Sequence, residues 1–269
     1  MSDSTRNQDL AAHGWTAAPR SFAKNLAAVD KSVQARISVS DVALPDTQLA
    51  QKTYEYAKKE LPEKTFNHSM RVYYYGAAIV KFHLPQLEPM LETYFLTCLL
   101  HDIGTVDLTA TRMSFEYWGA ITALQFLERH GASKDQAESV SEAIIRHADL
   151  GETGTVTSLG QLIQLATVFD NVGLNAHLVH KDTIESVVAA FPRKGWSGCF
   201  AETMREEMRL KPWCHTTANE GFVEAVLGNE LMEPYDTEPV GFRGAGTEEP
   251  CSTSLLATAG SATLRVPVR

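Results

Sequence analysis

The stretch Leu99-Leu-His-Asp-Ile-Gly104 places two ionisable side chains, His101 and Asp102, directly after a strongly apolar segment that begins at Met90. Such groups cost several kcal/mol when they are buried in apolar surroundings without a partner. Adjacent His and Asp side chains at a helix end can bind one cation together, through a ring nitrogen and a carboxylate oxygen. The dipeptide therefore predicts a metal site at the end of a buried helix.

The segments on both sides of this stretch have the apolar periodicity of α-helices. No series of alternating residues indicates a set of strands, and no internal repeat is present. The predicted fold class is therefore all-α. Helices are predicted over residues 48–61, 66–82, 90–100, 114–129, 133–147, 157–170, 182–191, 199–210 and 219–232.

The composition divides the chain into three parts. Residues 1–46 have little helical periodicity, and residues 37–40 alternate as a short extended piece would, so we expect an irregular N-terminal segment that packs on the core. Residues 47–236 form the predicted helical domain. Residues 237–269 are rich in Gly, Pro, Ser and Thr and have few large apolar side chains, which predicts a disordered tail.

Composition and charge exclude several classes of protein. The 269-residue chain has 24 Lys and Arg against 33 Asp and Glu, and a net charge of -9 argues against a nucleic-acid-binding protein. No apolar run approaches the roughly 18 residues of a membrane-spanning helix. The polar N-terminus lacks the pattern of a signal peptide, so we expect a cytoplasmic protein. The four cysteines form no CxxC pair, which indicates neither a disulfide framework nor a thiolate zinc site.

Two further polar residues occur in apolar helical surroundings and complete a ligand set. His68 lies on the helix predicted over 66–82, and Asp170 ends the helix predicted over 157–170. With His101 and Asp102 they give two imidazoles and two carboxylates, a set suited to Zn²⁺, Fe²⁺ or Mn²⁺ with positions left for water and substrate. The alternative is a buried polar network without a metal.

This order of residues, a His, a His-Asp pair and a distal Asp on separate helices, resembles the HD-domain superfamily of helical metal-dependent enzymes. Longer segments between residues 14 and 233 resemble one family in it, the fungal cyanamide hydratases. The last of these segments, residues 211–217, contains Trp213 and His215, to which spacing assigns no role. The segments are Gly14-Trp-Thr-Ala-Ala-Pro19, Asn67-His-Ser-Met-Arg-Val72, Leu96-Thr-Cys-Leu-Leu-His-Asp-Ile-Gly-Thr105, Thr111-Arg-Met-Ser-Phe115, Glu142-Ala-Ile-Ile-Arg-His147, Leu159-Gly-Gln-Leu-Ile-Gln-Leu-Ala166, Phe191-Pro-Arg193 and Lys211-Pro-Trp-Cys-His-Thr-Thr217.

The resemblance implies an HD-domain-like helical fold and the hydration of cyanamide, or a similar small nitrile, to urea at a zinc site. Catalytic roles would fall on Asp102 and Asp170 at the metal, where Asp170 could also hold the attacking water. His147 is the candidate for donating a proton to the substrate or orienting it. Two other interpretations of His147 remain open: a surface group at a helix end, or a ligand of a second metal.

Three further residues are candidates for contacting the substrate. Asn67 and Asn171 each stand beside a proposed ligand, although roles in caps and turns are equally compatible with their positions. Thr105 occupies a position where several phosphohydrolases of the superfamily have an acidic residue that orients water. A neutral side chain there makes the site less anionic and weakens the case for their mechanism.

An alternative function would use the same metal site. An HD-type phosphohydrolase acting on a nucleoside monophosphate or a related phosphoester would use Arg71, Arg112 and Arg146 as an anion-binding group, although each could equally be an exposed charge. A third possibility is a metal-stabilised scaffold without catalysis. The expected partner is a small molecule, with no nucleic acid and no membrane, and association into a homo-oligomer is possible.

Overall fold

Helices form most of the protein in the computed structural model, which describes residues 10–237, so the predicted all-α class is confirmed. Two short strands accompany them. Short 3-10 turns, among them Ile103–Thr105 and His215–Ala218, connect several of the helices. The elements are strands β1 (Ala17–Pro19) and β2 (Thr155–Thr157) and helices α1 (Phe22–Asn25), α2 (Gln48–Glu60), α3 (Glu63–His83), α4 (Leu91–Leu100), α5 (Phe115–Arg129), α6 (Lys134–Arg146), α7 (Ser158–Val172), α8 (Lys181–Ala190), α9 (Trp196–Leu210) and α10 (Phe222–Leu227).

Side-chain caps and glycines fix several helix ends. The hydroxyl of Ser133 accepts a hydrogen bond from the backbone N–H of Gln136 and begins α6, and the hydroxyl of Thr157 does the same for α7. Gly173 ends α7 with φ at 71°, a left-handed conformation that favours glycine. These signals are local in the sequence, and the predicted bounds of both helices agree with the structure to within two residues.

The centre of the fold consists of α3, α4 and α7, whose side chains are buried on nearly every face. In α3 every residue from Thr65 to Val80 is buried, and in α7 every residue from Ser158 to Asn171. A helix that is apolar on every side is usually surrounded by protein in this way, and α3 in addition buries polar residues such as His68 and Arg71. Polar side chains on them therefore face other protein atoms or an internal cavity.

The described part of the N-terminal segment, residues 10–46, packs on this core and contains short regular elements. Strand β1 pairs antiparallel with β2, with Ala18 opposite Val156. The extended piece predicted over residues 37–40 is wrong beyond Ser38, because Val39–Asp41 forms a 3-10 turn. Residues 238–269, nearly all of the predicted tail, lie outside the described residues. The predicted domain boundaries therefore stay predictions.

The helix predicted over 219–232 is shorter in the structure, where α10 spans only Phe222–Leu227. A 3-10 turn at His215–Ala218 precedes α10, and Gly221, with φ at 73°, allows the chain to change direction between them. Helix α9 also begins three residues earlier than predicted, directly after Gly195 in a left-handed conformation. Within residues 10–237, no helix is both long and apolar enough to cross a membrane.

Candidate metal centre

Three of the predicted ligands come together between two central helices. His68 lies on α3, and His101 and Asp102 follow directly on α4. One ligand atom from each residue lies within 4.8 Å of the others, and each side chain is 1% exposed. The helix order therefore brings two imidazoles and a carboxylate to one buried point, as the sequence predicted for these three residues.

Hydrogen bonds on the far side of each ring determine which nitrogen faces that point. The Nδ1 of His68 is 2.7 Å from a carboxylate oxygen of Asp170, and the Nδ1 of His101 is 2.8 Å from the carbonyl oxygen of Cys98. Both partners can only accept, so each Nδ1 carries the hydrogen and each Nε2 carries a lone pair. The two Nε2 atoms are 3.2 Å apart, and such a pair of acceptors needs a cation to hold it together.

Asp102 is the second feature that fits a cation at this point. Both of its carboxylate oxygens are buried, and neither has a hydrogen-bond partner among residues 10–237. The Nε2 atoms of His101 and His68 lie 3.2 Å and 3.7 Å from one of these oxygens, so both neutral rings turn lone pairs toward the carboxylate. A buried, ionised carboxylate without a donor is costly unless a positive charge compensates it. The three residues therefore fit a divalent metal that accepts nitrogen and oxygen ligands.

Asp170 is not brought to this ligand group. Its two oxygens accept hydrogen bonds from Arg71 at 2.9 Å and Arg193 at 2.8 Å, in addition to the Nδ1 of His68. Burial opposes ionisation of this carboxyl, and the two guanidinium groups nevertheless hold its pKa far below the ordinary value. The carboxylate therefore lies behind His68 with both oxygens accepting hydrogen bonds, and the expected role of Asp170 as fourth ligand stays a prediction.

A buried network holds this support in place. Arg193 also pairs with Asp236 and donates to the backbone carbonyl oxygen of Asp170. The same carbonyl oxygen accepts a further hydrogen bond from the side chain of Asn229. On the other side, the indole of Trp196 stacks on the ring of His68 at 4.4 Å between ring centroids. The imidazole is thus fixed both in its plane and in its tautomer. No pattern in the sequence marks Arg193 or Trp196 as part of this network.

His147 stands beside the ligand group but outside it. It follows α6, is 6% exposed, and donates from Nδ1 to the carbonyl oxygen of Ile144 at 2.7 Å. Its Nε2, which then carries a lone pair, lies 3.7 Å from a carboxylate oxygen of Asp102. Burial, together with the nearby His101, lowers the pKa of His147. The surface position considered for this residue is therefore wrong, and a basic nitrogen faces the site.

The three candidates for substrate contact have different environments. Asn171 lines the cavity beside the ligands, and its side-chain oxygen accepts the indole N–H of Trp196 at 2.7 Å. Asn67 donates to the carbonyl oxygen of Pro192, and the hydroxyl of Thr105 donates to the carbonyl oxygen of Asp102. Neither Asn67 nor Thr105 is among the lining residues, and their hydrogen bonds stabilise the local backbone.

The cavity beside the metal ligands is small. Its volume, counted as the space open to the centre of a water molecule, is about 20 Å³. A single water needs roughly 10–15 Å³ by this measure. Such a space admits a molecule of a few heavy atoms. Besides His101, Asp102, His147 and Asn171, the lining residues are Phe115, Glu116, Ala148, Leu150, Thr167, Val168, Phe200, Met204, Thr216, Asn219 and Phe222.

Several of these residues were missed in the sequence. Thr167 lies one turn before Asn171 on α7, so the helical spacing that placed Asp170 could have identified this face. Glu116 has the pattern of an ordinary acidic residue in the first turn of a helix, and no local signal marks it as buried. Its position depends on contacts with the distant segment 211–217.

The arginines proposed as an anion-binding group do not line this cavity. Arg71 is committed to Asp170, and Arg146 pairs with Asp149 and Glu142. The lining residues, all within the described part of the chain, include neither Lys nor Arg, while Asp102 and Glu116 are acidic. This lining disfavours a phosphate ester.

Comparison with known proteins agrees with this geometry. A sequence model of the HD domain family matches residues 65–172, a range that contains His68, His101, Asp102 and Asp170. The curated cyanamide hydratases DDI2 and DDI3 of Saccharomyces cerevisiae are each 39% identical to the chain over 224 residues, which is 82% of this chain and 98% of each relative. With identity at this level across nearly the full length of both relatives, the chain belongs to the cyanamide hydratase family of HD-domain proteins.

Proposed function

We propose that this protein hydrates cyanamide to urea. The observation that carries the proposal is a three-ligand metal group that opens onto a cavity for a few heavy atoms, in a chain with close relatives named cyanamide hydratases. Cyanamide has three heavy atoms. A nucleoside monophosphate is many times larger and anionic, and the cavity offers it neither room nor a cationic side chain.

His68, His101 and Asp102 would hold the cation, and we propose that it is zinc, with Fe²⁺ or Mn²⁺ as other metals that suit mixed nitrogen and oxygen ligands. A divalent metal bound there would lower the pKa of water to about 7 and would supply hydroxide at neutral pH. Three protein ligands leave a coordination position free, which is typical of catalytic and not of structural zinc sites.

The protein's own groups account for the proton transfers. The lone pair on Nε2 of His147 accepts a proton from the water as its oxygen bonds to the nitrile carbon, and the ring then returns the proton to the nitrile nitrogen. The hydrogen bond from Nδ1 to Ile144 keeps the ring oriented through both transfers. Tautomerisation of the resulting imidic acid gives urea, so one water is added across the carbon–nitrogen triple bond.

Asp170 takes part without contacting the water. Its carboxylate holds the hydrogen on Nδ1 of His68, which leaves Nε2 of that ring free to bind the metal. A carboxylate in this position also makes the imidazole a stronger ligand. This role differs from the fourth-ligand role implied by the family pattern, and it requires Asp170 to stay ionised between Arg71 and Arg193.

The test is direct. Metal-replete protein is incubated with cyanamide and the urea produced is measured, with a His101→Ala variant as the control that lacks one ligand. Production of urea by the wild type at a rate well above that of the control supports the proposal. A wild type that makes no more urea than the variant, or that instead releases phosphate from a panel of nucleoside monophosphates, refutes it.

Two finer proposals concern the protein as a whole. We propose a cytoplasmic location, supported by an ordinary globular composition and a net charge of -9, and subcellular fractionation tests it. Association into a homo-oligomer stays a prediction that sedimentation velocity tests. Neither affects the assignment of the substrate.

A further inference from the structure

A second buried carboxylate lies in the cavity, and the mechanism above does not use it. Glu116, in the first turn of α5, is completely buried and lines the cavity with His147 and the ligands. One of its oxygens lies 3.2 Å from Nδ1 of His215. Its other oxygen, Oε2, has no hydrogen-bond partner among residues 10–237. A buried acceptor in a ligand cavity is therefore left without a donor.

Segment 211–217, which contains no residue of the ligand group, holds the carboxylate of Glu116 in position. The backbone N–H of His215 donates to the hydroxyl of Ser114, which begins α5, at 2.9 Å. Glu207 accepts the backbone N–H of Phe115 and the hydroxyl of Thr216, each at 2.7 Å. Both contacts join segment 211–217 and α9 to the start of α5. They fix His215 and its hydrogen bond to Glu116, so Oε2 keeps one orientation.

An acceptor of this kind needs an N–H or O–H donor from the ligand. A buried polar atom without a partner destabilises the protein, and a charged one does so more strongly, so a ligand that supplies a donor recovers much of this free energy on binding. Two other polar residues of the lining already have partners: Asn171 accepts the indole N–H of Trp196, and Thr167 donates to the backbone of its own helix.

We propose that Glu116, positioned by His215, is a subsite for the amino group of the substrate and selects small ligands that carry N–H donors. The subsite rests on the proposed function, since it binds the amino end of the molecule whose nitrile end faces the metal ligands and His147. None of the described lining residues is a lysine or an arginine. The subsite explains how the cavity still distinguishes cyanamide from an equally small nitrile without N–H groups. It also disfavours small anions, which Glu116 repels.

The test compares two small ligands in one variant. Glu116→Gln keeps the shape of the side chain; the amide oxygen can still accept from His215, and the amide N–H₂ then faces the cavity and cannot accept. NMR titration measures the dissociation constants of urea, which carries N–H donors, and of azide, which is linear like cyanamide but has none. Glu128→Gln is the matched control, because Glu128 is an exposed residue of the same helix.

The expected result is selective. In Glu116→Gln the dissociation constant of urea rises at least tenfold, that of azide stays the same or falls, and the KM for cyanamide rises at least tenfold with a much smaller change in kcat. Glu128→Gln behaves like the wild type. If Glu116→Gln does not fold, Glu116→Asp, which keeps the charge but withdraws the oxygens by one methylene, must show the same selective loss for urea.

Three results overturn the proposal. One is unchanged urea binding and KM in the variant, and another is an equal loss for urea and azide. The third is a fall in kcat alone, which would give Glu116 a role in the chemistry and not in recognition. A wild type that makes no urea from cyanamide, yet shows the selective loss of urea binding in Glu116→Gln, refutes the proposed function and leaves the subsite supported.

Discussion

At the scale of single residues, the site depends on which ring nitrogen carries a hydrogen. Asp170, Cys98 and Ile144 each accept a hydrogen from the Nδ1 of one histidine, and all three rings thus present Nε2 to the same small space. Two of these nitrogens and Asp102 form the ligand group, and the third, from His147, remains available for proton transfer. All three rings have the same tautomer, so their positions relative to Asp102 divide them into two roles.

Asp170→Asn tests the support role. The variant loses the charge that pairs with Arg71 and Arg193, and breaking a buried ion pair of this kind costs about 3–5 kcal/mol. We predict a lower melting temperature and a metal dissociation constant that rises at least tenfold, measured by chelator competition. Asp236→Asn, which contacts Arg193 but not His68, should lower stability and leave metal affinity within about threefold. Wild-type metal affinity in Asp170→Asn would contradict the role.

His147→Gln tests proton transfer separately from metal binding. General acid–base groups typically contribute a factor of about 10²–10⁴, so we predict a fall in kcat of at least a hundredfold. The metal dissociation constant should change less than threefold, because the residue is outside the ligand group. Steady-state kinetics and chelator competition measure the two quantities. A variant that loses its metal instead would make His147 a ligand.

The pair of His215 and Glu116 predicts a dependence on pH. The hydrogen bond to Glu116 raises the pKa of His215 above its ordinary value of 6.5. Because the folded-state pKa is the higher one, the pair stabilises the fold fully below about pH 6.5, and this contribution is lost as the pH rises through the folded-state value. NMR titration of the His215 ring should give a midpoint above 6.5 that falls in Glu116→Gln. The same midpoint in both proteins would rule out the pair.

At the scale of elements, periodicity predicted most helices because their caps and apolar faces are local. The sequence did not predict the β1–β2 pair, since each strand has three residues and is stabilised only by a partner far away in the chain. The hydrogen bonds of Asp170 were also beyond local patterns: an apolar frame marks the residue as buried, but only the fold brings Arg71 and Arg193 to its oxygens.

The contact between the turn after α4 and the start of α5 can be tested by Gly104→Ala. A Cβ atom at Gly104 would overlap the carbonyl oxygen of Phe115 and lie 2.9 Å from the backbone nitrogen of Gly119. Both are backbone atoms, so α5 must shift, and we expect a loss near 3 kcal/mol, at the upper end of the usual range of about 1–3 kcal/mol for overpacking. Because α5 carries Phe115 and Glu116, the KM for cyanamide should also rise.

Gly198→Ala provides the control for this substitution. Gly198 lies within α9 and has open space around the added methyl group. Alanine favours a helix over glycine by up to about 1 kcal/mol, so this variant should be as stable as the wild type or more stable, with unchanged kinetics. Guanidinium denaturation measures both proteins. Equal stability of the two variants would contradict the close approach at Gly104.

At the scale of the whole molecule, the fold places a charged site in its most buried region and leaves little room beside it. The ligands come from α3 and α4, the support from α7 and the loop before α9, and the opposite wall from α5 and segment 211–217. The packing of these helices and of segment 211–217 thereby limits the size of the cavity. A bound cation would offset the charge of Asp102. The net charge of -9 is therefore carried mainly by residues outside the site.

The most direct test of the account is a metal titration of the chelator-treated protein with cyanamide as substrate. We predict that the metal-free protein makes no urea, that the rate rises in proportion to added zinc, and that it reaches its maximum at about one metal ion per chain. Binding of that metal should also raise the melting temperature, because only the folded state presents the three ligands together. Full urea production without metal, or none at any metal content, would contradict the account.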